Sequence, residues 1–138
     1  MQLLELTDDA VQAALRKYEK LFASGDVDGI LQGFADDVRV HYGSYPPFAG
    51  KQALRELLVR RFGTMRDYRL SKKLEFVRDT RIASSWMGSW IDTASGARIE
   101  VFGIEILHVR DGLFAEWSAA VSTWHSLTRP EIRSQFQL

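Results

Sequence analysis

The sequence predicts an α+β domain in which helices come first and an antiparallel meander follows. Three observations carry that reading. The apolar period changes from 3.6 to 2 past Gly63, Asp111-Gly112 supplies a strong hairpin turn, and 138 residues with 46% hydrophobic content suffice for one core. From Thr7 onward, Val11, Ala14, Leu15, Tyr18, Leu21 and Phe22 recur at three- and four-residue steps, with Thr7 as cap and Gly25 as stop. Asp26 is a second N-cap, for a short helix carrying Ile30, Leu31 and Phe34 and closed by Asp36-Asp37. Val38, Val40 and Tyr42 then alternate with Arg39 and His41 as a first strand, broken by Gly43-Ser44-Tyr45-Pro46-Pro47. Gly50 leads into a third helix, Lys51 to Phe62, with one apolar stripe. Four strands follow: one marked by Leu70, Leu74 and Phe76, then Ile82 to Thr93, Arg98 to Arg110 and Leu113 to His125, with a turn at Ser95-Gly96. Neither a repeat nor a linker divides the chain, so residues 1–138 are read as one domain with a tail from Ser126, where Pro130-Glu131-Ile132 can start a short helix.

Composition narrows the function. Lysines plus arginines equal aspartates plus glutamates at 18 each, and they are scattered, so neither nucleic acid nor an anionic membrane is an expected partner. With no cysteine, thiol catalysis, zinc–thiolate sites and iron–sulfur clusters are excluded. His41, His108 and His125 have no metal-ligand spacing, so no metal and no cofactor is expected. The start of the chain lacks a basic, then apolar leader, and no apolar run reaches spanning length, so the expectation is a soluble, cytoplasmic protein. Arg60-Arg61, Arg66 and Arg69 are read as the solvated end of a helix and its linker.

The strand Arg98 to Arg110 is apolar on both parities. Ile99, Val101, Leu107 and Val109 lie on one side, and Phe102, Ile104 and Ile106 on the other. Helices cover one face, and the simplest cover for the other is a second copy, a homodimer through the sheet. The tail from Ser126 is the alternative cover. Glu105 sits in the middle of this strand, in phase with Val101, Gly103 and Leu107. A carboxylate there is either partnered or protonated, its proton affinity raised by apolar surroundings. An arginine is one partner to expect, and Tyr18 on the first helix is the natural neutral one. Among four tryptophans, Trp86 and Trp90 share a parity and Trp117 lies in phase with Ala119 and Val121. They read either as core filling or, with Gly88, Gly103, Ala119 and Ala120 beside them, as the walls of a cavity for an apolar or flat ligand.

The element order, with the phrases Phe22-Ala-Ser-Gly-Asp-Val-Asp-Gly-Ile-Leu, Phe34-Ala-Asp-Asp-Val-Arg-Val, Gly50-Lys-Gln-Ala-Leu and Val109-Arg-Asp-Gly-Leu-Phe-Ala-Glu-Trp117, resembles the nuclear transport factor 2-like superfamily, in particular its SnoaL-like and ketosteroid-isomerase-like branches. The resemblance spans residues 8 to 124. It implies a cone of helices and curved sheet around a deep apolar pocket, and often a dimer through the sheet's outer face. In the isomerase pattern the helix tyrosine falls on Tyr18 and the neutral acid on Glu105, while the proton-moving carboxylate's place holds Tyr42. The acid that SnoaL-like cyclases carry after the Glu116-Trp117 pair is absent from Ser118 to Ser122, and the limonene-epoxide-hydrolase-like aspartate position is Ala119. The function expected is therefore isomerase, lyase or cyclase chemistry on an apolar small molecule, aromatic and polyketide-like compounds included. The candidate catalytic residues are Glu105 and Tyr18, with Tyr42 and Asp92 in reserve. The pocket walls would be Trp86, Trp90, Trp117, Val40, Leu58, Phe62, Val101, Ala119 and Val121. A non-catalytic binder of apolar ligands is the alternative. A protein adaptor ranks behind both.

Overall fold

The structure is a computed structural model and describes residues 2–126. Helix α1 (Asp8–Ser24) starts where the Thr7 hydroxyl accepts the Ala10 N–H at 3.2 Å, and it stops at Gly25, whose φ of +65° is easily adopted only without a Cβ. Asp26 caps α2 (Val27–Leu31) by accepting the Gly29 N–H at 2.9 Å. This helix ends earlier than the Asp36-Asp37 pair suggests, and Phe34 to Asp37 already belong to strand β1 (Phe34–Tyr42). The cause is tertiary. Phe34 lies opposite Phe114 in a parallel register, and its ring packs against Tyr18, Phe114 and Trp117. A Cβ on Gly33 would collide with the Tyr18 hydroxyl, so the chain passes under α1 there at a residue without a side chain.

A two-residue strand β2 (Phe48–Ala49) precedes α3 (Lys51–Gly63), and the meander follows as β3 (Met65–Arg78), β4 (Arg81–Asp92), β5 (Arg98–Arg110) and β6 (Leu113–His125). Asp111 and Gly112 both take positive φ, +52° and +76°, as the tight β5–β6 hairpin requires. The sheet order is β2-β1-β6-β5-β4-β3, antiparallel except for the β1–β6 pair. β3 begins at Met65, well before Leu70, and carries two irregularities. One follows Arg66, next to Asp67 at φ +54°, and the other separates Leu74 from Phe76. The second reverses the parity, so Phe76 does not continue the Leu70–Leu74 face as its spacing suggests. It pairs with Ala83 on the outer face.

The helices lie on the inner face. There Val101, Leu107 and Val109 of β5 join Val11, Leu15, Ile30, Leu54 and Leu58 in one core. Phe102, Ile104 and Ile106 are exposed on the other face. One inner-face row crosses the sheet as Tyr42, Ala119, Glu105, Ser84 and Leu74, and places Glu105 at its middle. The tail from residue 127, including the helix start at Pro130, lies outside the described residues.

Candidate active site

Glu105 is 2% exposed and fully engaged. Its Oε2 accepts from the Lys72 ammonium at 2.6 Å and from the Ser84 hydroxyl, and its Oε1 accepts from the Trp117 indole N–H at 3.0 Å. The sheet register brings these donors in from β3, β4 and β6. The arginine or tyrosine partner expected from the sequence is replaced by Lys72, itself 8% exposed. Tyr18 does not bond Glu105. Its hydroxyl donates to the Ile30 carbonyl at 3.1 Å, and burial raises its pKa, which keeps the proton on the phenol.

Lys72 is held from two sides. β3 is an edge strand, so Lys72 turns an N–H and a carbonyl away from the sheet, and α1 supplies both partners. The Glu19 carboxylate accepts the Lys72 N–H at 2.6 Å, Arg16 donates to the Lys72 carbonyl, and Arg16 and Glu19 pair at 3.2 Å. The ammonium lies 4.8 Å from the Trp86 ring centroid and 6.0 Å from that of Phe22. Sequence reasoning missed this residue because Lys72-Lys73 reads as a solvated pair. Its parity with Leu70 and Leu74 was the available signal.

A cavity of about 30 Å³ is bounded by Lys72, Glu105, Tyr18, Phe22, Trp117 and further apolar side chains. That is room for one or two waters. A second cavity, about 10 Å³, lies between Tyr42, Arg61, Phe62, Tyr68 and Leu58, and shares Phe22 and Trp117 with the first. Arg61 is not the solvated helix end expected from the sequence. It is half-buried, with its guanidinium 4.9 Å from the Tyr42 ring centroid.

The other candidates divide. Trp117, Leu58, Phe62 and Tyr42 line a cavity. Trp86 lies over Gly103, where a Cβ would collide with its ring, and Trp90 meets Tyr68 edge-on at 5.8 Å. Gly103 therefore makes space for a ring and not for a ligand, and a Cβ on Gly88 would meet the Arg69 carbonyl, Val101 and Tyr68. Ala120 is exposed on the outer face. Val40 and Val101 are wholly buried in the core, and Ala119 and Val121 pack half-buried against it. Asp92 lines neither cavity. It accepts the N–H and hydroxyl of Ser95 in the β4–β5 turn, and those bonds lower its pKa. Among the described residues no group of three His, Cys, Asp or Glu side chains could hold a metal ion, and no helix is long and apolar enough to cross a membrane.

Solved structures share this architecture. TsrD from Streptomyces laurentii is 22% identical, with 86% of this chain and 92% of that one covered at a TM-score of 0.71. A protein from Xanthomonas campestris pv. campestris assigned as a polyketide cyclase is 21% identical over 79% of this chain and 87% of its own, at 0.66. One from Novosphingobium aromaticivorans assigned as a scytalone dehydratase is 16% identical over 86% and 87%, at 0.69. None of the curated proteins matches. The SnoaL-like domain family matches residues 15–117, a span that holds the larger part of α1, all of α3 and all four residues of the Glu105 cluster, and the chain belongs to that family.

Proposed function

We propose that this protein is a cofactor-independent small-molecule enzyme of the isomerase, lyase or cyclase kind, with Glu105 as the proton-transferring group. The observation that carries this reading is the buried Lys72–Glu105 pair on the wall of an otherwise apolar cavity. Desolvating two charges offsets most of their attraction, so such a pair adds little to stability and invites a chemical explanation. Glu105 Oε2 already takes two donors, whereas Oε1 takes one and keeps a free acceptor position.

In this reading Oε1 removes a proton from the carbon next to a substrate carbonyl. The C–H electron pair becomes the enolate double bond, and the carbonyl π pair moves to oxygen, where the Lys72 ammonium holds it. Return of the proton to another carbon isomerises the substrate, loss of a β-hydroxyl as water dehydrates it, and attack of the enolate carbon on a second carbonyl closes a ring. The relatives assigned as cyclase and dehydratase support this range of outcomes. Tyr18, on the same cavity wall but engaged with Ile30, contributes shape first and a hydrogen bond only after it turns.

The second reading, a non-catalytic binder of apolar ligands, is favoured by the three donors already on Glu105. Deuterium exchange at the α-carbon of a bicyclic ketone such as 2-tetralone in D₂O, followed by NMR, separates the two. The catalytic reading expects exchange above background that drops by about 10² to 10⁴ in Glu105→Gln. Saturable binding without exchange, or exchange equal in the variant, removes Glu105 from any mechanism.

A further inference from the structure

We propose that the second cavity is an anion-recognising subsite, in which Arg61, Tyr42 and Tyr68 take the carboxylate of a planar, apolar ligand. The inference rests on the small-molecule reading above and deepens it by naming the ligand class. Three donors border this cavity without an acceptor. Arg61 has no carboxylate within ion-pair reach among the described residues, whereas Arg55, the other half-buried arginine among them, pairs with Asp28 at 2.8 Å. Tyr42 is 7% exposed, and neither its hydroxyl nor that of Tyr68 has a hydrogen-bond partner among the described residues. Among the described residues no fully buried side-chain nitrogen or oxygen lacks a partner, so these hydroxyls reach open space at the cavity, where they and the guanidinium are free to take an acceptor.

The chemistry of that acceptor follows from the donors. A guanidinium offers a planar fork that matches a carboxylate, and two phenols add neutral donors beside it. Burial raises the pKa of both tyrosines, so each keeps its proton to donate at neutral pH. No acidic side chain lines the cavity, and Glu105, whose charge reaches both tyrosines, is paired with Lys72. The remaining walls are Leu57, Leu58, Phe62 and Met65, which suit an apolar body.

The two cavities share Phe22 and Trp117, so a ligand with its carboxylate on Arg61 has its far end directed toward Lys72 and Glu105. The substrate class is then an aromatic or alicyclic acid with an enolisable carbonyl at the end away from the carboxylate. Its entry requires Phe22 and Phe62 to change rotamer. They are half-buried near the C-terminal ends of α1 and α3 and touch edge-on at 5.8 Å, where two side chains can part without moving the sheet.

The test uses an isosteric pair, 2-naphthoate and 2-naphthamide, titrated against intrinsic tryptophan fluorescence and by calorimetry on the full chain. The wild type is expected to bind the carboxylate roughly ten- to hundredfold more tightly than the amide, as charge-assisted bonds imply. Arg61→Met, with folding checked by circular dichroism, erases that preference, and Tyr42→Phe with Tyr68→Phe reduces it. Glu105→Gln retains the preference whether or not α-carbon exchange is lost, so failure of the catalytic reading and failure of the subsite are told apart. Equal binding of the two probes, a preference that survives Arg61→Met, or no saturable binding of either overturns the proposal.

Discussion

Lys72 is the residue on which this site turns, and its burial can be measured independently of any substrate. Lys72→Met leaves Glu105 with two neutral donors and no counter-charge in a site only 2% exposed. Breaking a buried pair from one side costs about 3–5 kcal/mol, because the remaining charge is stranded. Urea denaturation of Lys72→Met is expected to show a loss of that order, and the double variant Lys72→Met with Glu105→Gln should be more stable than Lys72→Met alone. A single variant no less stable than the double shows that the pair is solvated and weakens the catalytic reading with it. Glu105 was legible in the sequence because a charge amid Ile104, Ile106 and Leu107 is out of place by composition alone. Lys72 was not, since its depth depends on an edge strand being clamped by Arg16 and Glu19 from another element, more than fifty residues away in sequence.

At the scale of the elements, what the sequence carried well was whatever local periodicity and capping decide: α1 between Thr7 and Gly25, α3 behind Gly50, and the hairpin at Asp111-Gly112. It failed where long-range pairing decides. The short helix was extended through Phe34 because nothing within those residues shows that they pair in parallel with β6, and β3 was given one parity because its two bulges leave no trace in residue type. The packing of β4 on β5 was half legible. Trp86 and Gly103 are directly paired across the strands, and the absence of a side chain at Gly103 is what lets the indole lie flat on the sheet and present its face to Lys72. Gly103→Ala places a methyl group in the ring. Overpacking of that kind costs about 1–3 kcal/mol, and the displaced Trp86 loses its contact with the ammonium. The expected outcome is a lower urea midpoint accompanied by a changed tryptophan emission. Emission and midpoint both equal to wild type show that the strands separate to admit the methyl and that Trp86 is not fixed there.

At the scale of the whole molecule, the unexplained feature is the outer face of the sheet. Phe76, Met87, Phe102, Ile104, Ile106 and Trp124 are all substantially exposed on it, with Ile104 at 49%. They fall on successive strands β3 to β6, so they form one patch, and the row Arg39, Glu116, His108 and Arg81 runs along one side of it as a charged margin. An apolar centre with a polar border is the composition of a self-association surface, and a chain with a net charge of zero offers little long-range repulsion to oppose it. We propose a homodimer through this face. A twofold axis would set β5 of one copy across β5 of the other, pairing like residues as an isologous interface does. Sedimentation should then give twice the 15.8 kDa chain mass, and Ile104→Glu, which places a charge at the centre of the patch, should give the monomer with its circular dichroism unchanged. The inner face is built from the opposite parity of the same strand, so the variant should keep the Lys72–Glu105 pair and any ligand binding in the cavities. A wild type that sediments as a monomer assigns the patch to some other cover, and a monomeric variant that no longer binds ligand shows that the curvature enclosing the cavities depends on the second copy.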